Sequence, residues 1–240
     1  MIIAVVSDIH SPKFFDQFVK SIENMLTELT KPQLFFLAGD IVDRGIVKEY
    51  RKIYNTLFGK INCPIIACFG NTEYGPETTD SIKQLNPEIK FLEDETLILD
   101  IEGTSVGIVG TKGSLDRPTF WQSHNIPRIA EQYRERIGTI DNLLAELKTD
   151  FKILLMHYTP TYKILEGENP WQYPELGSRE MEKVVIERKP NLVICGHSHR
   201  GKKGVWLDAV PVINVGLMLN KGIVIIDTEK DLRPGLEKFF

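Results

Sequence analysis

The sequence predicts an α/β protein of four layers, with two mixed β-sheets packed face to face between outer helices. Three observations carry that expectation. Apolar strands alternate with helix-period segments as far as Asn71; short strands joined by a hairpin signal follow; strands flanking a further helix then lead into hairpins at the end of the chain.

Taken in order, Ile2–Ser7 is a β-branched strand stopped at Asp8, and Phe14, Phe18, Ile22, Met25 and Leu29 recur at helical spacing after Pro12. Gln33–Ala38 is the second strand, Val47 to Phe58 a helix stopped by Gly59, and Pro64–Phe69 the third strand, closed by Gly70-Asn71. Right-handed crossovers make these strands parallel, so their ends face one way. Lys90–Leu92 and Thr96–Ile101 are short strands, and Glu102-Gly103 turns into Ser105–Val109. Residues 111–126 read as a loop carrying Phe120, Trp121 and His124, and Arg128–Leu147 as a long helix. Phe151–Met156 delivers His157; residues 158–177 are a second long loop with Tyr158, Tyr162, Trp171 and Tyr173. A helix near Ser178–Arg188 precedes Leu192–Cys195, after which Lys203–Leu207 pairs with Val210–Val215 across Asp208-Ala209, and Gly222–Asp227 adds a last strand.

A chain of 240 residues without repeats or linkers is expected to fold as one domain, 1–240. Its 42% hydrophobic and 26% charged content is that of an ordinary soluble protein, and a net charge of −4 gives no bulk attraction to nucleic acid or to anionic membranes. The first apolar run is too short for a signal-peptide core, and no stretch reaches the ~18 apolar residues of a membrane span. Cys63, Cys68 and Cys195 lie in or beside apolar runs, which suits reduced thiols and a cytoplasmic location.

The polar residues that directly follow apolar strands are Asp8 and His10, Asp40, Asn71, His157, and His197 with His199: seven donors at five strand ends, holding four of the five histidines. One such residue is an ordinary turn former; the repetition asks for a shared cause. Imidazole, carboxylate and amide oxygen without thiolate suit manganese, iron, cobalt, nickel or zinc rather than a structural zinc site. Seven donors exceed one tetrahedral ion, and a shared carboxylate lets two ions sit roughly 3.5–4 Å apart. Alternation along Asp8-Ile9-His10 and His197-Ser198-His199 would let each pair converge from an extended chain. With two anionic ligands among the seven, two divalent ions would leave a positive site suited to phosphate.

Asp8-x-His10, Gly39-Asp40-x-x-Asp43-Arg44-Gly45, Gly70-Asn71-x-Glu73, His157 and Gly196-His197-x-His199 are similar in order and spacing to the calcineurin-like metallophosphoesterases. The resemblance implies an αββα sandwich and a dinuclear site, with Asp8, His10, Asp40 and His199 on one ion and Asp40, Asn71, His157 and His197 on the other, bridged by Asp40. It further implies hydrolysis of phosphate esters by metal-bound hydroxide, with manganese as the expected ion, Asp40 and Asn71 at the reacting centre and Arg44 neutralising the phosphoryl group. The implied partner is a small phosphate ester.

Thr72 stands where many members carry the histidine that protonates the leaving oxygen, so a phosphodiesterase preferring good leaving groups is expected. A serine/threonine-type protein phosphatase and a non-catalytic binding module on the same fold are the alternatives. Ile213-Asn214-Val215-Gly216-Leu217 stands where the family often has Asn-Pro-Gly-Ser, implying a changed loop but no lost ligand. For Arg44 the competing expectation is a salt bridge with Asp43 or Glu73, and for His124 a solvated position rather than a replacement acid. Arg200, Lys202 and Lys203 would steer anions or merely face solvent, and the loop aromatics would wall the cleft or bury a homodimer interface.

Overall fold

A computed structural model describes residues 1–233. The strands are β1 (Ile2–Val6), β2 (Leu34–Ala38), β3 (Ile65–Cys68), β4 (Ile89–Phe91), β5 (Glu95–Ile101), β6 (Thr104–Thr111), β7 (Phe151–Met156), β8 (Leu192–Cys195), β9 (Gly204–Leu207), β10 (Val210–Asn214) and β11 (Val224–Asp227). Between them run α1 (Phe15–Asn24), α2 (Val47–Leu57), α3 (Pro76–Leu85), α4 (Phe120–Asn125), α5 (Ile129–Glu146), α6 (Tyr173–Leu176), α7 (Arg179–Arg188) and α8 (Leu217–Asn220). The first sheet has the order β11-β1-β2-β3-β4 and the second β5-β6-β7-β8-β10-β9. Both are mixed: β1 to β4 run parallel with β11 antiparallel, and β6, β7, β8 and β10 run parallel between two antiparallel edges.

Side-chain alternation explains the layers. In β1, β2 and β3, Ile3, Val5, Leu34, Phe36 and Ile66 point into the core shared with Ile108, Ile153, Leu155 and Ile194 of the second sheet. Ala4, Val6, Phe35, Leu37 and Ala67, one residue out of step, pack instead against Phe18 and Ile22 of α1 and Tyr50 and Ile53 of α2. The second sheet repeats the device: Leu154, Met156 and Val193 face Ile140 and Leu144 of α5 and Val185 of α7. Strands buried on both faces read as continuous apolar runs, the pattern of Leu34–Ala38.

The expected strands and the four-layer α/β architecture are present. Differences lie in the connections. The first helix stops at Asn24, and Leu29 reaches the core from a separate 3-10 turn, Glu28–Thr30. Residues 111–126 contain α4, started by a capping box in which Thr119 and Gln122 bond reciprocally. Residues 158–177 hold two 3-10 turns and α6. α3, in a stretch for which the sequence predicts no element, buries just Thr79 and Ile82. No helix among the described residues is long and apolar enough to cross a membrane.

Candidate metal centre

The carboxyl ends of β1, β2, β3, β7 and β8 open on one edge of the sandwich, where open α/β sheets place ligands. Asp8, His10, Asp40 and His197 adopt left-handed backbone (φ 45–68°), a conformation costly outside glycine, so the chain turns sharply as each strand ends. These turns, rather than the extended alternation expected from sequence, aim the side chains. The glycines before Asn71 and His197 make the approach feasible. A Cβ at Gly70 would lie 2.1 Å from Asp40 Oδ1, and one at Gly196 2.3 Å from Ser7 Oγ.

Two groups result. Asp8, His10 and His199 bring ligand atoms within 4.8 Å of one another, as do Asp40, His157 and His197. Histidines 197 and 199 therefore serve different groups. Asn71 joins the second, its Oδ1 3.1 Å from His157 Nε2. Asp40 faces both: Oδ1 lies 3.4 Å from His157 Nε2 and Oδ2 3.8 Å from His10 Nε2.

The residues fit cations. A carbonyl only accepts, so His157 Nδ1 donates to Ala38 O (3.0 Å) and turns Nε2 towards two further acceptors, Asn71 Oδ1 and Asp40 Oδ1. Only a proton or a cation reconciles three such atoms. His10 Nε2 is buried and has no hydrogen-bond partner, 3.8 Å from carboxylate oxygens of both aspartates.

Electrostatics point the same way. Burial works to raise the Asp40 carboxyl, but His157, by charge and hydrogen bond, with His10 and His197, holds it well below the usual range. Asp8 is lowered too: burial opposes, and the His199 hydrogen bond and the His157 charge prevail. His157 rises to about 9, because Asp40 outweighs the effect of burial. Burial and the His157 charge push His197 down to about 4. Burial lowers His10, and the bond to Asp8 raises His199. The pair of carboxylates thus draws positive charge strongly enough to keep a proton on His157 above neutral pH.

Supporting residues were less visible in the sequence. Glu73 is fully buried; its carboxylate accepts from the main-chain N–H of Gly70 (2.7 Å), Val42 (2.9 Å) and Asp40 (3.0 Å). Burial and Asp40 push it up to about 7, against the pull of those N–H groups. It knits two ligand loops together and makes no ion pair with Arg44. Asn214 anchors the histidine loop through Ser198 O (2.8 Å), and Glu168 accepts from Ser198 Oγ (3.0 Å) and Arg200 N (2.8 Å).

Other candidates stand apart. The Arg44 side chain is 89% exposed, with Asp43 at 3.8 Å as its ion-pair partner. His124 is exposed on α4 and bonds Phe120 O (2.8 Å). Lys202 pairs with Glu166. The loop aromatics divide: Trp121 and Tyr158 line a cavity beside Asn71 and His197, Tyr162 packs on Tyr173, and Phe120 and Trp171 face solvent. Thr72 Oγ1 donates to Val42 O (2.7 Å) and Thr72 N to Asp40 Oδ1 (2.9 Å), so this side chain is a strut.

Two adjoining donor groups at the strand ends of a two-sheet α/β sandwich define the class, a protein built to hold a pair of metal ions. The chain belongs to the calcineurin-like phosphoesterases, a dinuclear metal-dependent family whose model matches residues 1–201. It is 24% identical over 178 residues to the probable glycerophosphodiester phosphodiesterase GpdQ of Arcobacter nitrofigilis, covering 73% of this chain and 60% of that protein's length. In fold it is similar to the phosphopantetheinyl hydrolase of Mycobacterium tuberculosis (TM-score 0.68, 15% identity, 91% of this chain and 90% of that one). It is also similar to a putative 5'-nucleotidase from Staphylococcus aureus (TM-score 0.61, 15% identity, 89% and 48%).

Proposed function

We propose that the protein hydrolyses phosphate esters at a dinuclear metal centre, with a phosphodiester bearing a good leaving group as its preferred substrate. The observation that carries this reading is the meeting of the two donor groups on Asp40, with His10 Nε2 buried and unpaired between the aspartates. Asp8, His10, Asp40 and His199 would hold one ion, and Asp40, Asn71, His157 and His197 the other. Bound divalent ions supply Lewis acidity towards the phosphoryl oxygens and lower the pKa of a shared water towards neutrality. Manganese is the expected metal, and the buried thiols of Cys68 and Cys195, raised by burial, suit a reducing cytoplasm. Because the donors come from both sheets, residues 1–233 are read as one catalytic domain, the last seven residues of the 1–240 expectation lying outside the described residues.

Within that frame, Asp40 fixes the separation of the two groups, and Asn71 presents an amide oxygen to the second. Ala38 O sets the tautomer of His157. Arg44, exposed on the turn after β2, would swing from Asp43 to a phosphoryl oxygen when substrate arrives. Nothing at position 72 can donate a proton near neutral pH. General-acid assistance is worth ~10²–10⁴-fold, so its lack weighs most on poor leaving groups.

The test is a substrate panel with added Mn²⁺, comparing bis(4-nitrophenyl) phosphate with glycerol phosphate in the wild type and Thr72→His. The aryl diester should be favoured by at least ~10²-fold, and the histidine should raise turnover of the alkyl ester selectively. Equal rates on both, unchanged in the variant, would remove the argument.

A further inference from the structure

Beside Asn71 and His197 the structure holds a cavity of about 670 Å³ that the sequence did not reveal. Its walls mix aromatic and apolar side chains with amides such as Asn125 and Gln132: Tyr74 and Trp121 meet edge to face (4.9 Å between centroids), and Ile129 and Tyr133 come from the first turns of α5. The walls are braced. Gln122 donates to Tyr158 Oη (3.1 Å), and the hydroxyls of Tyr133 and Tyr158 are 3.3 Å apart, tying α4 and α5 to the residue after His157.

Two cations line this space, Lys112 and Arg136. Arg136 is neutralised, its Nε donating to Asp94 Oδ2 at 2.9 Å. Lys112 is not. Half-buried at the end of β6, it has no carboxylate within ion-pair distance among the described residues, and its ammonium donates to the main-chain O of Glu73 at 3.5 Å. Taking an ammonium out of water without a counter-ion is costly, so a site that keeps one has a use for it. Burial and the Arg136 charge lower its pKa, although the carboxylates of Glu73, Asp40 and Glu93 pull the other way from beyond ion-pair distance.

We propose that this cavity holds one organic substituent of the phosphoester, a flat aromatic or apolar group bearing an anionic oxygen, and that Lys112 is the specificity residue for that charge. The inference rests on the phosphoesterase reading, because Asn71 and His197 form the shared wall and whatever fills the cavity lies against the phosphoryl site. A volume of this size accommodates a fused bicyclic ring.

Binding and turnover separate the two claims. The probes are 2-naphthoate and 2-naphthol, titrated calorimetrically into the full chain with Mn²⁺ and again after chelation. Naphthoate should bind the wild type more tightly than naphthol. Lys112→Met should weaken naphthoate on the order of tenfold or more, as loss of a charge-assisted bond does, with naphthol changed less than about twofold; Lys112→Arg should restore most of the loss. With Mn²⁺, the kcat/KM preference for a carboxyl-bearing aryl diester over its plain counterpart should fall by a similar factor in Lys112→Met. Removing an unpaired buried charge should leave the melting temperature equal or higher, so misfolding will not mimic the effect. Naphthoate bound equally by wild type and Lys112→Met, or no more tightly than naphthol, overturns the proposal. Absence of esterase activity with charge-selective binding intact would sink the functional reading and leave the cavity's preference standing.

Discussion

Around Asp40, His157 is fully buried and has both ring nitrogens engaged, Nδ1 by Ala38 O and Nε2 by Asn71 and Asp40. Around Asp8, by contrast, His10 leaves Nε2 without a partner, and the His199 side chain is 48% exposed. Both groups use backbone turns and hydrogen bonds, but those of the Asp40 group fix an imidazole at both nitrogens, whereas those of the Asp8 group anchor chiefly its carboxylate, whose Oδ2 accepts from Ser7 Oγ and from His197 N (3.0 Å). Preorganised donors lose less freedom on binding, and second-neighbour bonds to ligating imidazoles strengthen metal affinity. An ion at the Asp8 group should therefore exchange more readily than one at the Asp40 group.

The largest effect should come from the residue that belongs to both. Asp40→Asn keeps the shape and removes the charge facing His10 and His157. Both ions should be lost or severely weakened, and kcat should fall by ~10³-fold, the scale of losing a main electrostatic support. Metal analysis beside kinetics checks this; two ions retained per chain would mean that the groups do not share a carboxylate.

Next in size is the contrast between His157→Ala and His199→Ala. Each should cost at least ~10–100-fold in affinity for one ion, the range seen when only the partners of a ligand are disturbed. Only the first should also unfold easily, by about 2–3 kcal/mol, because it strands the Ala38 carbonyl and leaves Asp40 without its buried partner. A chelator titration followed by metal content and by melting should show the exposed group emptying first in the wild type. Equal destabilisation by both substitutions would erase the distinction.

Much of this contrast was legible because strand ends announce themselves: a run such as Phe151–Met156 followed by His157 places a polar side chain at a sheet edge whatever the details. What stayed hidden depended on register and on distant pairing. The sequence reading stops β6 at Val109, whereas the strand continues to Thr111, and that two-residue shift is why Lys112 was not counted among the strand-end residues. Gly107 and Gly110 lie within the strand because Leu147 and Leu92 leave no room for a Cβ, but in sequence Gly110 looks like a terminator. Partner choice was equally opaque: β11 follows a hairpin of the second sheet yet pairs with β1 in the first, which no local periodicity encodes. α3 escaped because Thr78 and Thr79 weaken helical patterning and only Thr79 and Ile82 are buried, and α4 because six residues are too few for periodicity, although Pro76 and Thr119-x-x-Gln122 were readable start signals.

The smallest effect sharpens the comparison most, because it touches one group without removing a ligand. Ser7 Oγ donates to Asp8 Oδ2, and Gly196 packs so closely that a Cβ there would strike that hydroxyl. Ser7→Ala deletes a charge-assisted bond worth roughly 1.5–3 kcal/mol in isolation, yet Asp8 keeps the His197 N–H and the His199 ring nitrogen. The expected net loss is about 1–2 kcal/mol, seen as a melting shift of about 2–8 °C, with weaker retention chiefly of the ion at the Asp8 group. The Asp40 group has no bond to Ser7 among the described residues; its tie to this carboxylate is the His197 main-chain N–H, while His157 is held independently by Ala38 O, so the effect there should be the smaller one. Retention of both ions falling together in Ser7→Ala would show instead that the shared carboxylate transmits strain between the groups, and that the difference in their preorganisation does not survive occupation of the site.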